Sequence, residues 1–76
     1  MISLKQIRYF IATAERGQIT QAATDISISQ SAVTTAIKGL ENILAVKLFF
    51  RSRKGMELTT AGREFLSHAY EILQKL

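Results

Sequence analysis

Between Ser29 and Leu40 the sequence reads SQSAVTTAIKGL, a stretch without an acid. Gln30, Thr34 and Lys38 stand at i, i+4 and i+8, with Ser31 and Thr35 beside them, so on a helix they share one face. An ordinary solvated face mixes Glu with Lys. A face of amide, hydroxyl and one cation instead offers the donors and acceptors that match base edges in a groove. A weakly polar surface without a partner is the competing reading, and Lys38 could be no more than a solvated helix lysine. Downstream, Arg51, Arg53 and Lys54 form a second, cationic cluster suited to phosphates. Residues 29–60 hold Lys38, Lys47, Arg51, Arg53 and Lys54 against Glu41 and Glu57, a local excess of +3 in a chain of net charge +4. That excess points to a polyanionic partner.

Other chemistries find less support. His68 is the sole histidine, and Glu64 and Glu71 lie on its helix face. One imidazole beside carboxylates falls short of the two histidines and base of a zinc protease, so a solvated face is the better reading. The four glycines are scattered and frame no phosphate-cradling loop, and the serines form no nucleophilic constellation with His68 and an acid. No enzyme and no cofactor are expected. The absence of cysteine excludes a disulfide scaffold and thiolate metal sites. No apolar run is long enough to span a bilayer, and the N-terminus lacks the pattern of a secretory signal, so a cytoplasmic location is the default expectation.

The elements that must position these residues are mainly helical. Ser3 followed by Gln6 fits a capping box for a helix from about Lys5 to Arg16, with Leu4, Ile7, Phe10, Ile11 and Ala14 as its apolar stripe and Gly17 as its stop. Thr20 is expected to cap a short second helix from Gln21 to Asp25 or Ile26. After the turn Ile26-Ser27-Ile28-Ser29, a third helix runs from Gln30 to about Leu44, with Val33, Ala36, Ile37, Leu40, Ile43 and Leu44 inward. Two helices joined by a short turn make a helix-turn-helix. Lys47 to Arg51 and Met56 to Leu58 read as a hairpin with Arg53 and Lys54 at its tip and Arg51 at its base, where pairing with Glu41 is as plausible as a nucleic-acid contact. Arginine on such a hairpin can enter a narrow minor groove.

Thr59 or Thr60 caps a last helix running to the end of the chain. Ala61, Phe65, Ala69, Ile72 and Leu76 line one of its sides, and Leu66, Tyr70 and Leu73 a second. A surface helix buries one face, so two imply two partners, the domain itself and a second copy. A core of this size rarely supplies more than about 3–5 kcal/mol, which also favours association. The expected organisation is a DNA-binding unit over 1–58 and a linker and dimerisation helix over 59–76. With no stop signal at Gln74-Lys75-Leu76, the chain reads as the front end of a longer protein. Three classes stay open: a winged helix-turn-helix DNA binder, a helical interaction module with a solubilising basic hairpin, and membrane-surface docking, weakened by the neutral last helix.

The order of residues resembles the N-terminal DNA-binding domain of LysR-type transcriptional regulators from about Leu4 to Ala69. The resemblance is carried by Leu4-x-Gln6-Ile7-Arg8-Tyr9-Phe10, Ala14-Glu15-x-Gly17, Thr20-x-Ala22-Ala23, Ser29-Gln30-Ser31-Ala32-Val33-Thr34, Ile37-x-x-Leu40-Glu41, Leu48-Phe49-x-Arg51 and Leu58-Thr59-x-Ala61-Gly62. It implies a mainly α, winged helix-turn-helix fold: a three-helix core, a two-stranded β wing and a long C-terminal helix. It further implies that the third helix enters the major groove of an operator and that the wing touches the adjacent minor groove. The last helix would pair antiparallel with its mate in a dimer, and a separate C-terminal domain outside this chain would bind a small-molecule inducer. By position, Gln30, Ser31, Thr34 and Thr35 would face bases or phosphates, Thr20 a phosphate, and Arg51 and Arg53 the wing's target. Departures are Ser31 where proline is usual, no basic residue near Thr35, Gln18-Ile19 for Ser-Phe, and Ala45 for a glycine, so that a left-handed backbone is not expected there.

Overall fold

A computed structural model describes residues 1–76. The order is α1 (Leu4–Arg16), α2 (Ile19–Asp25), α3 (Gln30–Leu44), β1 (Phe49–Ser52), β2 (Gly55–Leu58) and α4 (Thr60–Gln74). The capping box is present: Gln6 N donates to Ser3 Oγ at 3.2 Å, and Ser3 N donates to Gln6 Oε1 at 2.8 Å. Gly17 closes α1 in the left-handed region at φ 72°. Ser29 Oγ accepts from Ala32 N at 3.1 Å, and Thr59 Oγ1 accepts from Gly62 N at 2.9 Å. Both caps satisfy orphan donors at the starts of α3 and α4.

The core gathers one stripe from each helix around Phe10, whose ring lies 5.3 Å from that of Phe49 and 5.3 Å from that of Phe65. One side chain therefore joins α1, the hairpin and α4. Ile7, Ile11, Ala23, Val33, Ile37, Leu40, Leu48 and Ala69 complete the core cluster. Thr13 is buried as well, its hydroxyl donating to the Tyr9 carbonyl at 3.0 Å. The two strands pair antiparallel, Phe49 with Leu58 and Ser52 with Gly55. Met56 N donates to the Gly17 carbonyl at 2.7 Å, which fastens the hairpin to the end of α1. Gly55, at φ 124°, permits this approach, because a Cβ there would run into that same carbonyl.

Several expectations are corrected. The second helix starts at Ile19, with Gln18 as an extended N-cap lacking a side-chain cap bond, so Thr20 is not the cap. Gly17 turns the chain so sharply that Ala22 N already reaches the Gln18 carbonyl at 3.1 Å. The strands begin later and earlier than expected, at Phe49 and at Gly55, because Lys47 and Leu48 are held otherwise. Leu48 N donates to Glu41 Oε2 at 2.8 Å, and Thr59 Oγ1 donates to the Lys47 carbonyl at 2.6 Å. Glu41 thus braces the approach to the hairpin through backbone N–H groups, and its cationic neighbour is Lys47 at 3.9 Å, not Arg51. Ala45 does adopt the left-handed region, at φ 59° and ψ 33°, despite its Cβ. Leu4 and Ile43, assigned to the inner stripes, are 40% and 44% exposed.

Candidate nucleic-acid interface

α3 meets the hairpin and the start of α2 across an open cleft of about 380 Å³. Gln30 and Thr34 come from α3, Thr20 from α2, and Arg51, Arg53 and Lys54 from the hairpin. No Asp or Glu lines it. The tip is shaped locally: Lys54 N donates to Ser52 Oγ at 3.1 Å, closing the turn that carries Arg53 and Lys54. None of Lys38, Arg51, Arg53 and Lys54 has a carboxylate within 4.0 Å.

Four of the six acids are engaged away from the cleft. Asp25 pairs with Arg16 at 2.6 Å, Glu71 lies 3.6 Å from His68, and Glu15 accepts from the Tyr70 hydroxyl at 2.6 Å. That last hydrogen bond, with burial and the Glu15 charge behind it, raises the Tyr70 phenol above its ordinary value of 10.0. With these carboxylates and Glu41 committed away from the cleft, its cations face solvent uncompensated. The arrangement has the shape and charge to hold a polyanion by several cations while presenting an amide and hydroxyls.

The remaining candidates are divided among other surfaces. Ser31 and Thr35 lie on the opposite flank of α3, beside Lys5, Gln6 and Tyr9 of α1. The Ser31 hydroxyl stands 3.2 Å from that of the capping Ser29. Lys38 lines a groove farther along α3 with Lys47, Phe50 and Arg51. Gln18, Ile19 and Ser52 also line the cleft. The turn at Gly17 and Gln18 that starts α2 brings Gln18 and Ile19 beside the wing.

The two apolar sides expected of α4 are not both open. Ala69 is fully buried in the domain's own core, with no surface left for another chain. Phe65 packs on Phe10, and Leu66 and Leu73 pack partly buried against the same core. Tyr70, Ile72 and Leu76 face outward, at 38%, 39% and 74% exposure. No helix is long and apolar enough to cross a membrane, and no three His, Cys, Asp or Glu side chains are grouped to hold a metal ion.

A family model described as bacterial regulatory helix-turn-helix protein, lysR family, matches residues 4–63. The chain is 47% identical over 72 residues to the HTH-type transcriptional regulator ClcR of Pseudomonas putida, covering 95% of this chain and 24% of that protein. It therefore spans about a quarter of the length of such relatives. Among solved structures, the DNA complex of the CbnR DNA-binding domain superposes with a TM-score of 0.91 at 43% identity, covering 95% of this chain and 83% of that one. The complex of the BenM DNA-binding domain with benA site 1 DNA superposes with a TM-score of 0.90 at 30% identity, covering 96% and 85%.

Proposed function

Since this chain belongs to the lysR family of bacterial regulatory helix-turn-helix proteins, we propose that it binds double-stranded operator DNA with sequence specificity, as the DNA-binding domain of a transcriptional regulator. The observation that carries this reading is the acid-free cleft joining Gln30 and Thr34 to Arg51, Arg53 and Lys54. α3 lies in the major groove with Gln30, Ser31, Thr34 and Thr35 toward base edges and nearby phosphates, and Lys38 follows the backbone farther on. The wing sets Arg51, Arg53 and Lys54 against the adjacent minor groove and its phosphates, and Thr20 contacts a phosphate from the first turn of α2. The division of labour is physical: cations supply affinity without sequence information, and the neutral face of α3 supplies discrimination. Solved DNA complexes of two similar domains support the reading.

The functional unit is a homodimer through α4, with Tyr70, Ile72 and Leu76 supplying the outward surface and Phe65, Leu66 and Leu73 beneath it. Residues 1–58 form the DNA-binding unit and 59–76 the linker and dimerisation helix. A small-molecule inducer is bound by a further domain of the regulator and not by these residues. The work is done in the cytoplasm, where the chromosome is. The test is a titration of this chain with a duplex it enriches from a random-sequence pool, against a scrambled duplex of equal length and composition. Tighter binding of the enriched duplex is expected; equal affinity for both would defeat the reading.

A further inference from the structure

We infer that Lys5, on α1, grips the phosphate strand on the side of α3 that faces away from the wing; the inference extends the duplex-binding reading above and rests on it. A helix about 10–12 Å across fills a major groove about 12 Å wide, so phosphates run along both of its sides. On one side stand Arg51, Arg53 and Lys54. On the other, a concavity of about 430 Å³ opens between α3 and the start of α1, with Ser31 and Thr35 from α3 and Lys5, Gln6 and Tyr9 from α1. No acid lines it, and Lys5 is its single cation. α3 contributes no charge there, because Lys38, its one basic residue, lines a groove on the wing side. Neutralisation of the second phosphate strand therefore falls to α1.

Two further observations favour Lys5. First, α1 is seated so as to aim it. Gln6 is fixed by the capping box, and its Nε2 lies only 2.9 Å from where a Cβ on Gly39 would stand, so the bare Gly39 lets α1 approach α3 closely. Second, Lys5 has no evident structural task. It is exposed, pairs with no carboxylate within 4.0 Å, and sits in a first helical turn that contains no acid. A cation there opposes the helix dipole, so the position is mildly unfavourable to folding and its substitution leaves the fold intact.

The experiment compares Lys5→Gln, Arg53→Ala and Lys75→Gln by the salt dependence of binding to the enriched duplex, with phosphate-ethylation interference mapping the contacts. Lys5→Gln is expected to lower the slope of log affinity against log salt by about 0.9, the share of one phosphate, with base preference unchanged. Interference should vanish from one tract of phosphates in Lys5→Gln and from a different tract in Arg53→Ala, while Lys75→Gln matches the unsubstituted chain. A Lys5→Gln slope and map like those of the unsubstituted chain, with Arg53→Ala still lowering the slope, overturn the assignment of Lys5. If no duplex is enriched, or none of the variants alters the slope, the duplex-binding reading itself falls.

Discussion

Gln30 stands one residue beyond the Ser29 cap, at the lip of the cleft, with both an acceptor and two donors on a short side chain. Gln30→Ala should therefore alter base preference at one position, by about 1–3 kcal/mol if its contact is bidentate. A binding-site selection checks this; uniform weakening over all sequences would make Gln30 a backbone contact. Ala45 is a second residue with a distinct consequence. Its left-handed backbone closes α3 at a conformation that disfavours a Cβ. Ala45→Gly should raise stability by about 1 kcal/mol, read as a higher urea midpoint at unchanged slope. The candidate contacts were legible because amide, hydroxyl and cation at helical spacing leave a mark in the sequence. The task of Glu41 was not, because its partners are the backbone N–H groups of Leu48 and Phe49. Backbone donors are the same in every residue, so nothing in the side-chain order distinguishes them. The burial of Thr13 was equally hidden: its hydroxyl is satisfied by a carbonyl one turn back, and an apolar pattern does not count it.

Among the elements, α4 is tied to α1 twice, by Phe65 on Phe10 and by Tyr70 on Glu15. The Tyr70 phenol donates while protonated, and its raised value means the native state holds that proton after the unfolded chain has lost it. The native state then binds more protons than the unfolded one, so stability falls as pH rises. The tie contributes fully below the ordinary tyrosine value and is lost as pH climbs through the raised one. The Tm difference between the unsubstituted chain and Tyr70→Phe should be constant from neutral pH to about 10 and shrink above it. A difference independent of pH would separate Tyr70 from Glu15. The starts of α1, α3 and α4 were legible, since Ser3, Ser29 and Thr59 each reach the backbone N–H three residues on. The start of α2 was not, because a backbone turn at Gly17 and Gln18 sets it, and no side chain caps it. The surface of α4 was legible only in part. Periodicity marked its apolar residues, but which of them meet the domain depends on how Phe10 and Ala69 seat the helix.

Over the whole molecule, a net charge of +4 has become an arrangement. Four carboxylates are committed to Arg16, Tyr70, His68 and the Leu48 amide, leaving the wing and the flanks of α3 positive. The outward residues of α4 give the molecule a second surface. Ile72→Glu places a charge among them and should shift the chain from the proposed dimer toward monomer in sedimentation equilibrium, with Gln74→Glu, at an exposed polar position, as the charge-matched control; equal behaviour of the two would remove α4 from the proposed dimer. The central claim, a duplex held by the wing's cations beside α3, is tested most directly by the salt dependence of affinity for the enriched duplex. For the unsubstituted chain, log affinity should fall linearly with log salt. In the triple variant Arg51→Ala, Arg53→Ala, Lys54→Ala the slope should be shallower by about 2.7, the share of three phosphates. Equal slopes for the two proteins would contradict the account.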